Sequence, residues 1–173
     1  MNNLELINCL KNHNVVKKYF GGVFAADQLL SKDFSNLPTY IIVNTEPSSS
    51  QNGHWYVLGI RYRVIEIFDS SGKLFKTNKY LKQFLQKYIK NKTLIRYNAK
   101  QLQDELSTIC GLWCCMYILH RCQKKSITSF IKQYDDSDPV NNDKKIIIHF
   151  INNFYKCTTC MAYQSSKPFN LCN

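Results

Sequence analysis

Residues 54–69 read HWYVLGIRYRVIEIFD. Two runs rich in Val, Ile, Tyr and Phe, Trp55–Ile60 and Arg63–Phe68, each read as a strand. A hairpin turning at Arg61-Tyr62 pairs Ile60 with Arg63 and sets His54 across from Asp69. Directly opposed Cα atoms lie roughly 4.5–5.5 Å apart, so this register alone brings an imidazole and a carboxylate together. Arg-Tyr is not a favoured two-residue loop, and a wider loop shifts the register slightly.

Upstream, Tyr40–Val43 is a further short strand, and residues 46–53 (EPSSSQNG) form a surface loop too short to link domains. Asn3–Lys11 carries Leu4, Ile7 and Leu10 at spacings of three, behind an Asn2/Glu5 pair with capping-box spacing, and predicts an amphipathic helix. Gly21-Gly22 reads as a break in the chain. Downstream, Asn78–Lys90 predicts a helix with Leu81, Phe84, Leu85 and Tyr88 in one stripe, and Thr93–Tyr97 a strand. Apolar residues surround the segment from Cys110 to about Arg121 on nearly every side, which predicts a buried central helix. Lys144–Tyr155 predicts a helix with Ile147, Phe150, Ile151 and Phe154 on one face. The order of elements makes the class α+β.

The chain has 173 residues, enough for one domain over residues 1–155; residues 156–173 show no clear period and read as a tail packed on or extending from it. With 45% hydrophobic and 20% charged residues, disordered and collagen-like classes are excluded. No apolar run approaches the ~20 residues of a membrane span, and Met1–Asn14 lacks a secretory pattern, so an intracellular protein with mostly reduced thiols is expected from the eight cysteines. Lys and Arg number 23 against 12 Asp and Glu, a net +11 that favours nucleic acid, an anionic surface or an acidic protein as partner. An AT-rich genome, whose codons favour Lys, Asn and Ile, yields the same bias without function.

One constellation carries chemistry. A cysteine at a helix N-terminus beside an imidazole has its thiolate favoured by the helix dipole and the ring's charge. Cys110 stands at such a terminus, and Gly111 is expected to permit close approach of substrate. His54 would serve as base, oriented by Asp69. Gln103, seven residues before Cys110, offers an amide to an oxyanion, and the backbone N–H of Cys110 a second donor. Singly, each residue has a plain alternative: a core thiol, a structural histidine, a turn-forming aspartate.

Together, His54-Trp55, Phe68-Asp69, Gln103 and the 110–116 segment CGLWCCM occur in one order that closely resembles the adenovirus protease (adenain) family of cysteine peptidases, whose clan includes the Ulp1-like SUMO proteases. Tyr19-Phe20 followed by Gly, and Ile42–Thr45 ahead of the loop into His-Trp, extend the likeness, which covers roughly residues 1–155 and is firmest over 40–120. The resemblance implies a papain-like fold with a central mixed β-sheet flanked by helices, the nucleophile opening a buried helix. It implies Cys110 as nucleophile, His54 as general base, Asp69 as the acidic third member (Glu in adenoviruses, Asp in SUMO proteases), Gln103 as oxyanion residue, and Trp55 as the cleft aromatic beside the histidine. Glu66 is expected at the surface. The activity implied is endopeptidase cleavage of viral capsid or core precursors during maturation, by a monomer that needs no metal or organic cofactor. Its expected setting is the virion and infected cell, in the nucleus or a cytoplasmic viral factory, of a DNA virus or virus-like transposon, with no membrane partner. A hydrolase of SUMO- or ubiquitin-like proteins, and a non-catalytic DNA-binding protein on the same scaffold, are the alternatives.

From Lys73 to Gln103 nine cations occur without one Asp or Glu: Lys73, Lys76, Lys79, Lys82, Lys87, Lys90, Lys92, Arg96 and Lys100. Such a run suits phosphate contacts without base readout, or a solvated helix face. The resemblance points to DNA, bound without sequence preference, as an activating cofactor. The family also uses a disulfide-linked peptide; Lys92 and Thr93 stand near where its partner cysteine would align, so only a non-covalent peptide is expected here. Cys157 and Cys160 form a single CxxC, between His149 and Cys172, too little to predict a zinc site.

Overall fold

A computed structural model of the chain describes residues 1–34, 38–50, 52–73, 78–89 and 93–155. Five strands, β1 (Phe20–Phe24), β2 (Thr39–Asn44), β3 (Trp55–Arg61), β4 (Val64–Phe68) and β5 (Leu94–Tyr97), lie side by side in chain order. The inner pairings are antiparallel and the two outer ones parallel, which makes the sheet mixed. Among the described residues the α-helices are α1 (Asn3–Asn12), α2 (Lys79–Tyr88), α3 (Cys110–Cys122), α4 (Ile127–Ile131) and α5 (Pro139–Phe150), with a 3-10 helix over Ala26–Ser31.

Alternation along the strands feeds two cores. Trp55, Val57 and Phe68 face the α3 side, where Leu6, Leu10, Trp113, Tyr117, Phe130 and Ile146 complete one cluster. Tyr56, Leu58, Ile60, Ile65 and Ile67 face the other side, covered by Leu81, Phe84 and Leu85 of α2. Helix α3 is buried along its whole length, as its all-round apolar pattern predicts. At the N-terminus, Asn2 and Glu5 form the expected capping box: Asn2 Oδ1 accepts from Glu5 N at 3.0 Å and Glu5 Oε2 accepts from Asn2 N at 2.8 Å.

The hairpin register differs from expectation by two residues. Arg61 pairs with Val64, and the loop is Tyr62-Arg63, with Arg63 in the left-handed region at φ 55°. Packing explains the shift. In the observed register Leu58 meets Ile67 and Ile60 meets Ile65, apolar against apolar on the α2 face. The expected register would set Ile60 against Arg63 and Val57 against Glu66. Instead Glu66 lies opposite Gly59, the strand position whose missing Cβ leaves room for Tyr40, 2.8 Å from where a Cβ would stand.

That register also buries Glu66, which corrects its expected surface position. The residue is fully buried, and its carboxylate takes Arg121 Nε at 2.7 Å and Nη2 at 2.9 Å. Three further differences are local. Gly21-Gly22 does not break the chain but lies within β1, where Gly22 at φ 128° accompanies a register irregularity against β2. Helix α4 has no strong periodicity in sequence; Ser126 caps it. Helix α5 begins at Pro139, capped by Asp138, and passes into a π-helical turn, Ile151–Tyr155. Ile146, Phe150 and Phe154, spaced four apart, are buried, Ile147 is partly buried and Ile151 is exposed. Residues 156–173, with Cys157, Cys160 and Cys172, lie outside the described residues.

Candidate active site

The sheet ends where the chemistry-bearing side chains meet. His54 immediately precedes β3, and Asp69 immediately follows β4. Thr45 holds the His54 backbone from β2's end, its Oγ1 accepting from His54 N at 3.0 Å and its N–H donating to His54 O at 2.9 Å. His54 Nε2 lies 2.5 Å from Asp69 Oδ1. The Asp69 side chain, 2% exposed, also accepts from Ser71 N at 2.9 Å, Ser71 Oγ at 2.7 Å and Lys73 N at 3.0 Å. The turn behind it needs Gly72: its φ is 69°, and a Cβ there would stand 2.6 Å from the Lys100 carbonyl.

Cys110 is the first residue of α3. Its thiol lies close enough to His54 and to the backbone N–H of Trp55 for both to favour its ionised form. With Nε2 taken by Asp69, Nδ1 is the ring nitrogen left for the sulfur. Burial alone raises a thiol's pKa, but the bond and charge of His54, with the Trp55 N–H, hold Cys110 below its ordinary value. Burial pulls His54 down, yet its bonds to Asp69 and Cys110 prevail and hold it up at about 9. Burial would raise Asp69, and the His54 bond with the Ser71 donors holds it down at about 2. These directions favour a thiolate–imidazolium pair backed by a carboxylate. By contrast, Cys114 and Cys115 are fully enclosed and pushed well up by burial, which makes them packing residues.

Gln103 is 5% exposed and fixed at both ends of its amide. Its Oε1 accepts from Ser70 Oγ at 2.6 Å, and its Nε2 donates to Ser107 O at 2.8 Å. One N–H of the amide remains for a ligand. The Gln103 segment is latched to the end of β4, because Leu102 N and Gln103 N both donate to Ser70 O and Asn98 Nδ2 donates to Asp69 O. Helix α5 holds it from the other side: Asn142 Nδ2 donates to Leu102 O, and Asp143 accepts from Trp113 Nε1 at 2.8 Å and Asp104 N at 3.3 Å.

Cavities converge on His54. One of about 660 Å³ runs along Gly53, Trp55 and Cys110. Another, about 310 Å³, lies toward Gln103, Ser71 and Ser107. Cys110 is 8% exposed yet opens onto the first. Gly111 plays a different part from the one expected: it is buried, and a Cβ there would stand 3.2 Å from Leu6 Cδ2 and Met1 Cβ, so its space is taken by the packing of α1.

The cationic run is dispersed by tertiary structure. Lys73 pairs with Glu105 at 2.5 Å, Lys100 with Asp136 at 2.8 Å, and Arg96 lies 3.9 Å from Glu66. Lys79, Lys82 and Lys87 are exposed on α2. Lys76, Lys90 and Lys92 lie outside the described residues. The residues that sequence reading passed over are Ser70, Ser71, Ser107 and Asp143. In sequence Ser70-Ser71-Gly72 is an ordinary turn cluster, and nothing marks it as a support for a distant amide.

The architecture is α+β: a mixed sheet flanked by helices, with a buried helix that opens on a cysteine beside a His–Asp pair. ASFV pS273R protease has a similar fold, with a TM-score of 0.53 and 17% identity over 75% of this chain and 60% of that one. The chain therefore spans about three fifths of the length of that protease. The C-terminal Ulp1 protease domain, solved in complex with Smt3, the yeast ortholog of SUMO, matches with a TM-score of 0.46 and 13% identity over 88% of this chain and 77% of that one. No family model matches the chain, and no curated protein sequence matches it.

Proposed function

We propose that this chain is a cysteine endopeptidase in which Cys110 is the nucleophile, His54 the proton carrier, Asp69 its orienting carboxylate and Gln103 an oxyanion donor. The observation that carries this reading is the His54–Asp69 pair in a cleft that Cys110 also lines. The Cys110 thiolate attacks the scissile carbonyl carbon, and the displaced π pair charges the oxygen. The free Gln103 N–H and the Cys110 N–H, which as a first-turn donor has no partner within its helix, are suited to receive that charge. Collapse breaks the C–N bond as His54 gives its proton to the leaving amine. Water then attacks the thioester, His54 takes its proton, and the thiolate is released. No step draws on a metal or organic cofactor.

The adenain-like substrate class, precursors of capsid or core proteins, follows from the sequence resemblance, as does a virion or infected-cell setting. Exposed Lys79, Lys82 and Lys87 on α2 support DNA as a partner that activates without base readout. A second reading, hydrolysis of a ubiquitin-like modifier, is favoured by one feature, the Asp rather than Glu at position 69. The test is covalent: a peptide bearing a C-terminal thiol-reactive electrophile after Gly-Gly should label Cys110 stoichiometrically, mapped by mass spectrometry. Absence of label on Cys110 overturns the assignment. Side-by-side digestion of SUMO fusions and capsid precursors separates the two substrate classes.

A further inference from the structure

We infer that Ser70 is a positioning residue for the oxyanion site, acting through Gln103; the inference rests on the peptidase reading above. Ser70 is 1% exposed, and its hydroxyl has the Gln103 carbonyl oxygen 2.6 Å away. The two contacts on the amide have different jobs. Ser107 contributes a backbone carbonyl, an acceptor only, so it sets which end of the amide is nitrogen. A reversed amide would place two acceptor oxygens face to face. Ser70 can donate or accept, so it does not choose the orientation. As a donor to Oε1 it fixes where the amide lies and draws electron density toward oxygen, which strengthens the remaining N–H as a donor. The same residue's carbonyl accepts from Leu102 N at 2.8 Å and Gln103 N at 3.1 Å, so backbone and side chain of Ser70 hold one segment. Asp69 and Ser70 therefore divide the site between adjacent positions: Asp69 supports the histidine and Ser70 the amide.

Because the backbone contacts survive side-chain truncation, Ser70→Ala removes the hydroxyl alone. The experiment is a double-mutant cycle of Ser70→Ala and Gln103→Ala in the full chain, read with a fluorogenic peptide amide ending in Gly-Gly. Ser70→Ala is expected to lower kcat about tenfold with KM little changed. In the Gln103→Ala background the same change should cost less than about twofold. Ser70→Thr, which keeps the hydroxyl, should recover most of the lost rate. Alkylation of Cys110 by iodoacetamide, which forms no oxyanion, should proceed at the wild-type rate in every variant. Equal losses of kcat in both backgrounds, or slowed alkylation in Ser70→Ala, overturn the inference. Should Ser70→Ala fail to fold, Ser70→Cys, close in volume but a weak donor, carries the same cycle with the same criteria. If the wild-type chain neither cleaves the amide nor retains an acyl group on Cys110, the peptidase reading itself falls. An additive cycle in an active enzyme removes Ser70 alone.

Discussion

His54 Nε2 and Asp69 Oδ1 lie 2.5 Å apart, although the hairpin that carries them does not pair the two residues. Extended past Phe68, the register sets Asp69 across from Tyr56, so His54 reaches it as a diagonal neighbour. A shift of two residues keeps every side chain on its face, whereas a shift of one would have turned them to opposite faces. Diagonal neighbours are within reach of long side chains, and an imidazole spans the gap.

Asp69 has two duties, and substitutions can separate them. Asp69→Asn retains a side chain able to accept from the 71–73 turn but loses the charge that holds His54 protonated. Its kcat should fall by about 10²–10⁴-fold with the thermal midpoint little changed. Asp69→Ala should lose the rate and also lower the midpoint, because Ser71 N and Lys73 N lose their acceptor. Peptide hydrolysis and calorimetry on the two variants check this.

The thiolate is a pH signature. Cys110 is held below, and His54 above, its ordinary pKa, so the ion pair spans the interval between them, with His54 losing its proton near 9. Iodoacetamide should react with wild-type Cys110 at a lower pH than with an ordinary thiol, and His54→Ala should move the half-reactivity point up toward that of an ordinary thiol. The same pair contributes to stability with a definite sign. A raised His54 contributes fully below its ordinary 6.5 and progressively less as pH rises to about 9. A depressed Asp69 contributes fully above its ordinary 3.8 and loses its contribution as pH falls toward about 2. The stability difference between wild type and His54→Ala should therefore be greatest between those two ordinary values and shrink toward both limits in urea titrations.

Cys110→Ala should abolish peptide cleavage while leaving far-UV circular dichroism unchanged, since one small side chain at a cleft wall is removed. Gln103→Ala should keep the reactive thiolate and lower kcat by roughly 10²–10³-fold, as loss of one oxyanion donor does. Single-turnover kinetics with thiol titration in parallel distinguish the two.

Glu66 bears on stability more than on chemistry. Its carboxylate is fully buried, held by Arg121 on two bonds, with the Tyr117 hydroxyl at 3.3 Å. Glu66→Ala leaves Arg121 charged and 5% exposed without its partner, and should cost about 3–5 kcal/mol of unfolding free energy. Denaturant titration measures it. Cys110 alkylation in the variant, under conditions where it remains folded, should be unchanged.

DNA affinity, if α2 carries it, should fall steeply with salt, and Lys79→Ala, Lys82→Ala and Lys87→Ala together should flatten the salt slope by up to about 3. Fluorescence anisotropy with duplex DNA at several salt concentrations reads both quantities. An unchanged slope in the triple variant would assign binding elsewhere.

Local chemistry wrote much of this molecule openly. The apolar stripe of α2, the all-round apolarity of α3, the capping box of α1 and the β-branched runs of β2, β3 and β4 each follow from side-chain periodicity and cap chemistry within a few residues. The four residues proposed for catalysis were legible as a set because their order and the 110–116 segment could be matched together. What lay beyond the linear chain were choices between distant partners. Hairpin register depended on which apolar residues met across β3 and β4, and on Gly59 admitting Tyr40 opposite Glu66. The burial of Glu66 required Arg121, 55 residues away. The cationic run lost its uniformity because Glu105, Asp136 and Glu66 come from other parts of the chain. The amide of Gln103 took its orientation from Ser107 and its support from Ser70. Hydrogen bonds and ion pairs are satisfied in space, and a sequence specifies which groups need partners well before it shows which partners they find.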